Sequence, residues 1–83
     1  MRQHNRIRTW KLLTSQFTIQ VDQHQVDITY DYNHQIITIH VDTILEVQYH
    51  YTPASSTFNL VNLADIALRY VEAFERKHTN NYI

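Results

Sequence analysis

The fold is decided by residues 17–51, which read FTIQVDQHQVDITYDYNHQIITIHVDTILEVQYHY. Apolar and polar side chains alternate along this stretch, and most apolar positions hold β-branched or aromatic residues. This period of two is typical of strands with one buried and one exposed face, so it predicts four strands. The apolar positions are Phe17, Ile19 and Val21, then Val26, Ile28, Tyr30 and Tyr32, then Ile37, Ile39 and Val41, then Leu45, Val47, Tyr49 and Tyr51.

Short turns between these strands predict an antiparallel meander in chain order. Each pairing must keep the apolar side chains on one face, which fixes the register to steps of two residues. We expect a turn within residues 22–25, a two-residue turn at Asn33 and His34, and a loop at 42–44. The expected opposite pairs are Val21 with Val26, Ile19 with Ile28, Tyr30 with Ile37, Ile28 with Ile39, Val26 with Val41, Val41 with Leu45, and Ile39 with Val47.

A helix is predicted over residues 58–78, where the apolar period changes to that of an amphipathic helix. Its apolar arc is wide, because Val61, Ile66 and Leu68 extend the stripe beyond what a four-stranded sheet covers. The spare flank therefore predicts contact with the Trp10 segment or with a second protomer. We expect Trp10, Val61, Leu68 and an edge strand, the first or the fourth, to form the interface.

Residues 1–14 carry Arg2, Arg6, Arg8 and Lys11 and contain no acidic residue. The three-residue spacing of apolar side chains here indicates a short amphipathic helix, with an irregular arm as the alternative. The predicted fold is thus a single α+β domain over residues 1–83. It consists of this N-terminal helix or arm, the four-stranded antiparallel meander over 16–51, and a C-terminal helix on one face.

Composition excludes several functional classes. The 83 residues include no Gly, which removes the dinucleotide and P-loop fingerprints, and no Cys, which removes disulfides and thiolate zinc sites. Apolar runs are too short to cross a membrane, so we expect a cytoplasmic protein. Because the glycine and cysteine signatures are missing, we expect neither a cofactor nor a metal. A chain of this size buries only about 60 to 65% of its surface on folding, which favours self-association.

The predicted registers place one row of polar side chains on the open face of the sheet. The row contains Gln20, Asp27, His40 and Glu46, with the imidazole between two carboxylates. Such a histidine serves as a general base, a weak divalent-metal ligand or a pH sensor. The alternative is a set of ordinary cross-strand pairs. Since an open sheet face offers no water-excluding pocket, we assign no catalytic residue.

Four tyrosines gather at one end of the predicted apolar face: Tyr30, Tyr32, Tyr49 and Tyr51. Buried tyrosines need a hydrogen-bond partner for the hydroxyl, so this arrangement is typical of a core edge that meets water. A small-ligand pocket or a partner groove is the alternative.

These observations together favour a non-catalytic interaction or regulatory module that forms a homodimer. A nucleic-acid accessory protein is a second hypothesis, and it depends on the basic segment, because no Lys or Arg lies between Lys11 and Arg69. The third hypothesis is a metal or pH sensor at Asp27, His40 and Glu46.

Overall fold

The computed structural model describes residues 4–52 and 60–80. They form an α+β structure in which a five-stranded antiparallel sheet, ordered as the strands follow one another in the chain, carries one helix on one face. A 3₁₀ turn over His4–Arg6 precedes the first strand. The elements are β1 (Ile7–Leu12), β2 (Gln16–Val21), β3 (His24–Asp31), β4 (Ile36–Val41), β5 (Ile44–His50) and α1 (Leu60–Asn80).

The predicted alternation is confirmed in the central strands. Ile39 is fully buried whereas His40, the next residue, is half-buried on the opposite face of the sheet. The core therefore lies between one face of β2–β4 and helix α1, as the phase of the apolar residues requires. Its buried side chains are Phe17, Ile19, Val21, Val26, Ile28, Tyr30, Ile37, Ile39, Val41, Leu63, Ala64, Ala67, Leu68, Val71 and Phe74.

The prediction of four strands and an N-terminal helix is wrong, because residues 7–12 form a fifth strand along β2. A bulge at Arg8 explains the misleading spacing. Ile7 lies opposite Val21 and Trp10 lies opposite Ile19, so both occupy the core side although they are three residues apart. One extra residue in a strand shifts its side-chain phase and produces a spacing that resembles a helix. A helix of this length is unstable in water by itself, whereas pairing with β2 gives the backbone of residues 7–12 hydrogen-bond partners.

The predicted register of the first two central strands is wrong by two residues. Val21 lies opposite His24, and Ile19 lies opposite Val26, because the turn contains only Asp22 and Gln23. Asp22 adopts a left-handed backbone with φ of 52°, which allows this tight reversal. The change is an even number of residues, so every side chain keeps its predicted face.

The β3–β4 register is confirmed, with Tyr30 opposite Ile37 as one of its pairs. The connection spans residues 32–35 instead of a two-residue turn. The Asp31 carboxylate accepts hydrogen bonds from the backbone N–H of Asn33, at 3.0 Å, and of His34, at 3.3 Å. Its hydrogen bond to the His34 ring, at 2.8 Å, lowers the pKa of Asp31. These bonds stabilise a four-residue loop without glycine.

Strands β4 and β5 pair as predicted at Ile39 and Val47, but a bulge then changes the register. His40 lies opposite Leu45, which leaves Glu46 as the extra residue of the bulge, and Val41 lies opposite Ile44 in place of the predicted Leu45. The chain reverses through a two-residue turn, Asp42 and Thr43, with φ of 51° and 68°. Two positive φ angles are the signature of a type I′ turn.

We expect Thr43→Gly to increase the free energy of unfolding by about 1 kcal/mol. A β-branched residue in the left-handed region is strained, and glycine at that position removes a penalty of about 1 to 2 kcal/mol, partly offset by the entropy of the unfolded chain. Urea denaturation measures the change. Thr52→Gly is the matched control, since Thr52 is exposed and has an ordinary φ. A destabilisation of equal size in both variants would contradict the strain.

Helix α1 lies across β2, β3 and β4. It is not long and apolar enough to cross a membrane. Its buried stripe includes Leu68, which is 0% exposed. The predicted interface role of Leu68 is therefore wrong, because its side chain is part of the core and is inaccessible to a partner. The side chain of Val61, named in the same prediction, lies outside the described residues.

Candidate interaction site at the edge of the sheet

The predicted row of Asp27, His40 and Glu46 is only partly assembled. Asp27 and His40 are opposite each other on the open face, and Asp27 accepts a hydrogen bond from the Thr18 hydroxyl at 3.0 Å. The bulge turns Glu46 toward the helix, where its Oε1 lies 2.7 Å from Nζ of Lys77 and its side chain is 4% exposed. His40 thus lacks the second carboxylate. The described residues contain no cluster of three histidines or acids suited to a metal ion.

The four predicted tyrosines do lie close together. Edge-to-face contacts join Tyr30 to Tyr32 and Tyr51, at centroid distances of 4.9 and 6.3 Å, and Tyr49 to Tyr51 at 6.4 Å. The Tyr30 hydroxyl donates to the carbonyl of Tyr51, at 2.8 Å. Burial raises the pKa of Tyr30 and of Tyr49. This pattern is that of a core edge, as one of the two interpretations predicts.

The edge strand β1 and the residue that follows it expose three large apolar side chains, which we call the β1 strip: Trp10, Leu12 and Leu13. They are 53%, 47% and 54% exposed. Trp10 lies opposite Ile19 and Leu12 lies opposite Phe17, so both occupy the core face of the sheet. They stay exposed because α1 packs over β2–β4. An aromatic and two leucines at a sheet edge are typical of an interaction surface.

The backbone of β1 is also available at this edge. The N–H of Leu13 donates to the carbonyl of Gln16 at 2.8 Å. Hydrogen-bonded and non-hydrogen-bonded pairs alternate in an antiparallel ladder, so Thr9 and Lys11 also face β2. The N–H and C=O groups of Trp10 and Leu12 therefore point to the side of β1 on which the described residues contribute no strand. Exposed apolar side chains and available backbone groups coincide at these two residues.

An apolar groove continues the β1 strip toward the beginning of α1. It is a shallow depression open to solvent. Leu12 and Leu13 line it together with core residues, so the accessible apolar surface extends beyond the strip. The other lining residues are Thr14, Ser15, Gln16, Phe17, Ile28, Tyr30 and Leu63.

Ion pairs fix the beginning of β1 to its neighbours. Arg6 places Nε 2.6 Å from Asp22 Oδ2 and one terminal nitrogen 2.7 Å from Glu75 Oε2 of the helix. Arg8 lies 3.0 Å from the other oxygen of Asp22. The hydrogen bond from Arg6 lowers the pKa of Asp22. The hydrogen bonds of Arg6 to Glu75 and Asp22 raise the pKa of Arg6 further above its usual range. Two cations of the predicted nucleic-acid segment are thus paired, and Arg2 lies outside the described residues.

The same ion-pair chain continues to His24 at the start of β3. Its Nδ1 lies 2.7 Å from Asp42 Oδ2, and its Nε2 lies 3.4 Å from Glu75 Oε2. The ring also contacts the Phe74 ring at a centroid distance of 5.5 Å. Burial acts to raise the pKa of Asp42, but hydrogen bonds from His24 and the Gln25 N–H outweigh it, so the pKa lies below its ordinary value.

Sequence reasoning missed the pairing of His24 with Asp42. A signal was present, since in a meander the β2–β3 and β4–β5 turns lie at the same end of the sheet. Comparison with known proteins adds no assignment, because no protein-family model, curated protein or solved structure matches this chain.

Proposed function

We propose that this protein is a non-catalytic interaction module that associates with a second copy of itself through the free edge of β1. The observation that carries the proposal is the coincidence at Trp10 and Leu12 of outward backbone groups with exposed apolar side chains. A strand added to such an edge gains main-chain hydrogen bonds, and the alternate side chains determine specificity. The small size of the chain favours an additional buried surface.

The sequence of β1 is compatible with antiparallel pairing across a two-fold axis. With the axis at Trp10, each Trp10 lies opposite its copy, Lys11 lies opposite Thr9, and Leu12 lies opposite Arg8. Moving the axis to Lys11 would place two lysines directly opposite each other, which is unfavourable. An axis midway between Trp10 and Lys11 would place the apolar side chains of the two copies on opposite faces of the sheet, so that register is unfavourable. Charge therefore selects the axis at Trp10, about which residues 9–11 of the two copies pair regularly and the bulged Arg8 lies across from Leu12 at each end.

The other edge of the sheet is a weaker candidate. The N–H of Tyr51 donates to the carbonyl of Gln35 at 2.9 Å, so Tyr49 and Val47 face β4 and the outward backbone groups belong to Gln48 and His50. Those two residues carry polar side chains on the open face. The exposed apolar residues of β5, Ile44 and Leu45, lie instead at the bulged beginning of the strand. Backbone and apolar surface do not coincide there.

The test is sedimentation equilibrium over a range of protein concentrations. We expect the parent chain to dimerise and Trp10→Lys to shift to monomer, because the substitution places charge at the centre of the pairing. Leu45→Lys is the matched control, since Leu45 is 54% exposed at the opposite edge, and it should leave the dimer intact. Circular dichroism verifies that both variants fold. A parent chain that stays monomeric at high micromolar concentration contradicts the proposal.

The register is tested separately by disulfide cross-linking of introduced cysteines, which is specific because the chain itself contains no cysteine. Oxidation of a mixture of Thr9→Cys and Lys11→Cys should give the mixed disulfide dimer, since these residues face each other when the axis lies at Trp10. A mixture of Thr9→Cys and Leu13→Cys, in which both copies keep Lys11, should cross-link poorly. Efficient cross-linking of that mixture would place the axis at Lys11 and refute the charge argument.

A further inference from the structure

His24 lies between two carboxylates that come from different parts of the fold. Asp42 belongs to the β4–β5 turn, 2.7 Å from Nδ1, and Glu75 belongs to α1, 3.4 Å from Nε2. A neutral imidazole has one N–H donor, and its other nitrogen is an acceptor. With a neutral ring, one of the two contacts would place the lone pair of the unprotonated nitrogen against a carboxylate oxygen, which is repulsive. The imidazolium ion has a proton on both nitrogens, so both contacts then join opposite charges, as a hydrogen bond to Asp42 and a longer ion pair to Glu75.

We propose that His24 is held as the imidazolium ion and acts as a proton-sensitive clasp that fastens the C-terminal half of α1 to the β2–β3 and β4–β5 turns. This inference is independent of the proposed self-association, because the clasp residues are not part of the β1 strip. His24 connects three elements that are far apart in the chain. The side chain is 22% exposed, so solvent protons reach it while the contacts remain partly shielded.

The surrounding charges support a positive His24. Three carboxylates, of Asp22, Asp42 and Glu75, lie in the connected chain of ion pairs with only two guanidinium groups, those of Arg6 and Arg8. A positive imidazolium balances this excess of negative charge. With this charge, the His24 ring forms an ion pair at each of its two nitrogens.

Two other basic side chains, those of Arg6 and His78, lie close to the clasp. Arg6 shares the Glu75 oxygen with His24, although it also binds Asp22. His78 contacts the Phe74 ring at a centroid distance of 4.2 Å and acts electrostatically on Asp42. Lys77 is directed away, to Glu46 on β5. Neither Arg6 nor His78 stands between His24 and its carboxylates.

The clasp has a defined pH dependence. Its contribution to stability is present while the imidazole is protonated in the folded protein, and it disappears as the pH rises and the proton is lost. At the acid end the carboxylates limit the clasp. Because Asp22 and Asp42 have lowered pKa values, their negative charges persist below pH 3.8, the ordinary value. The clasp is thus closed in mildly acidic solution and opens toward alkaline pH.

The direct test is the ¹⁵N chemical shift of the two ring nitrogens in the parent protein. At pH 5.5 we expect both nitrogens of His24 to carry protons and the proton on Nδ1 to be protected from exchange with solvent. His34 is the internal control, because its ring contacts one carboxylate, that of Asp31, and its side chain is 72% exposed. A neutral tautomer of His24 at pH 5.5 overturns the proposal without any substitution.

A second measurement uses His24→Gln, which retains hydrogen bonding but cannot become positive. At pH 5.5 the unfolding equilibrium constant of the variant should exceed that of the parent by about fivefold, the upper range for a partly exposed ion pair. At pH 8.5 the ratio should fall below about twofold. His34→Gln should show no such pH dependence. A His24→Gln ratio that is the same at both pH values would show that His24 acts by packing alone, and it would overturn the clasp.

Discussion

Leu68→Ala should lower the free energy of unfolding by about 3 kcal/mol, within the usual range of about 2 to 5 for a buried leucine. Leu68 is fully buried and lies on the stripe of α1 that faces the sheet. The substitution removes apolar contacts and leaves a cavity between the helix and the strands. Urea denaturation followed by far-ultraviolet circular dichroism gives the change, and for a domain of this size it is a large fraction of the total stability.

The control for Leu68 is Leu45→Ala, which removes the same atoms from a side chain that is 54% exposed. It should change the free energy of unfolding by less than about 0.5 kcal/mol. Equal effects in the two variants would mean that Leu68 does not lie in the core. Protein concentration is kept constant in both measurements, because the proposed self-association would make apparent stability depend on concentration.

Asp42→Ala is the second substitution with a large expected effect, about 2 kcal/mol of lost stability. One carboxylate oxygen of Asp42 accepts the Gln25 N–H at 2.9 Å, and the other binds the His24 ring at 2.7 Å. The variant loses both hydrogen bonds and places alanine at a left-handed φ of 51°. Each lost hydrogen bond costs on the order of 1 kcal/mol, and the two together give the expected loss of about 2 kcal/mol. The backbone adds little, because aspartate at this φ is strained as well. Thermal and urea denaturation at pH 6 measure the sum.

Asp42→Asn separates the two contributions. Asparagine tolerates the left-handed region and retains an acceptor for the Gln25 N–H, but it removes the negative charge beside His24. We expect it to retain more than half of the stability that Asp42→Ala loses. If asparagine proves as damaging as alanine, the charge is the main contribution and the turn geometry is secondary. If both are neutral, the hydrogen bonds of Asp42 are unimportant to folding.

Strand alternation made most of the fold predictable, whereas the bulges did not follow from it. The phase of residues 17–41 correctly predicted the buried side chains of β2, β3 and β4, and Ile39 and His40 occupy the faces that it predicts. Tyr32 and Leu45, which were also predicted on the apolar face, are 57% and 54% exposed. A bulge adds one residue without a distinct sequence mark, especially in a chain without glycine. The bulge at Arg8 made a strand resemble a helix, and the bulge at Glu46 moved a carboxylate from the predicted site to the helix.

The candidate interaction site was only partly predictable. Trp10 was among the predicted contacts, and the structure places it on β1 with its side chain exposed. The strand predicted as the first edge, residues 17–21, is instead β2, which pairs with β1 on one side and β3 on the other. Leu68 was assigned to the wrong side because the fifth strand and the close approach of α1 could not be foreseen from a helical stripe. The contacts of His24 depend on side-chain reach across two turns, which periodicity does not encode.

The strand order has a consequence for the kinetics of folding. Each strand pairs with the strands adjacent to it in sequence, so the sheet forms from successive hairpins with short loops. Local contacts require little loop-closure entropy, and proteins that are rich in them fold quickly. The main contact between elements distant in the chain is the packing of α1 on β2–β4, so we expect this docking to be the slowest step of folding.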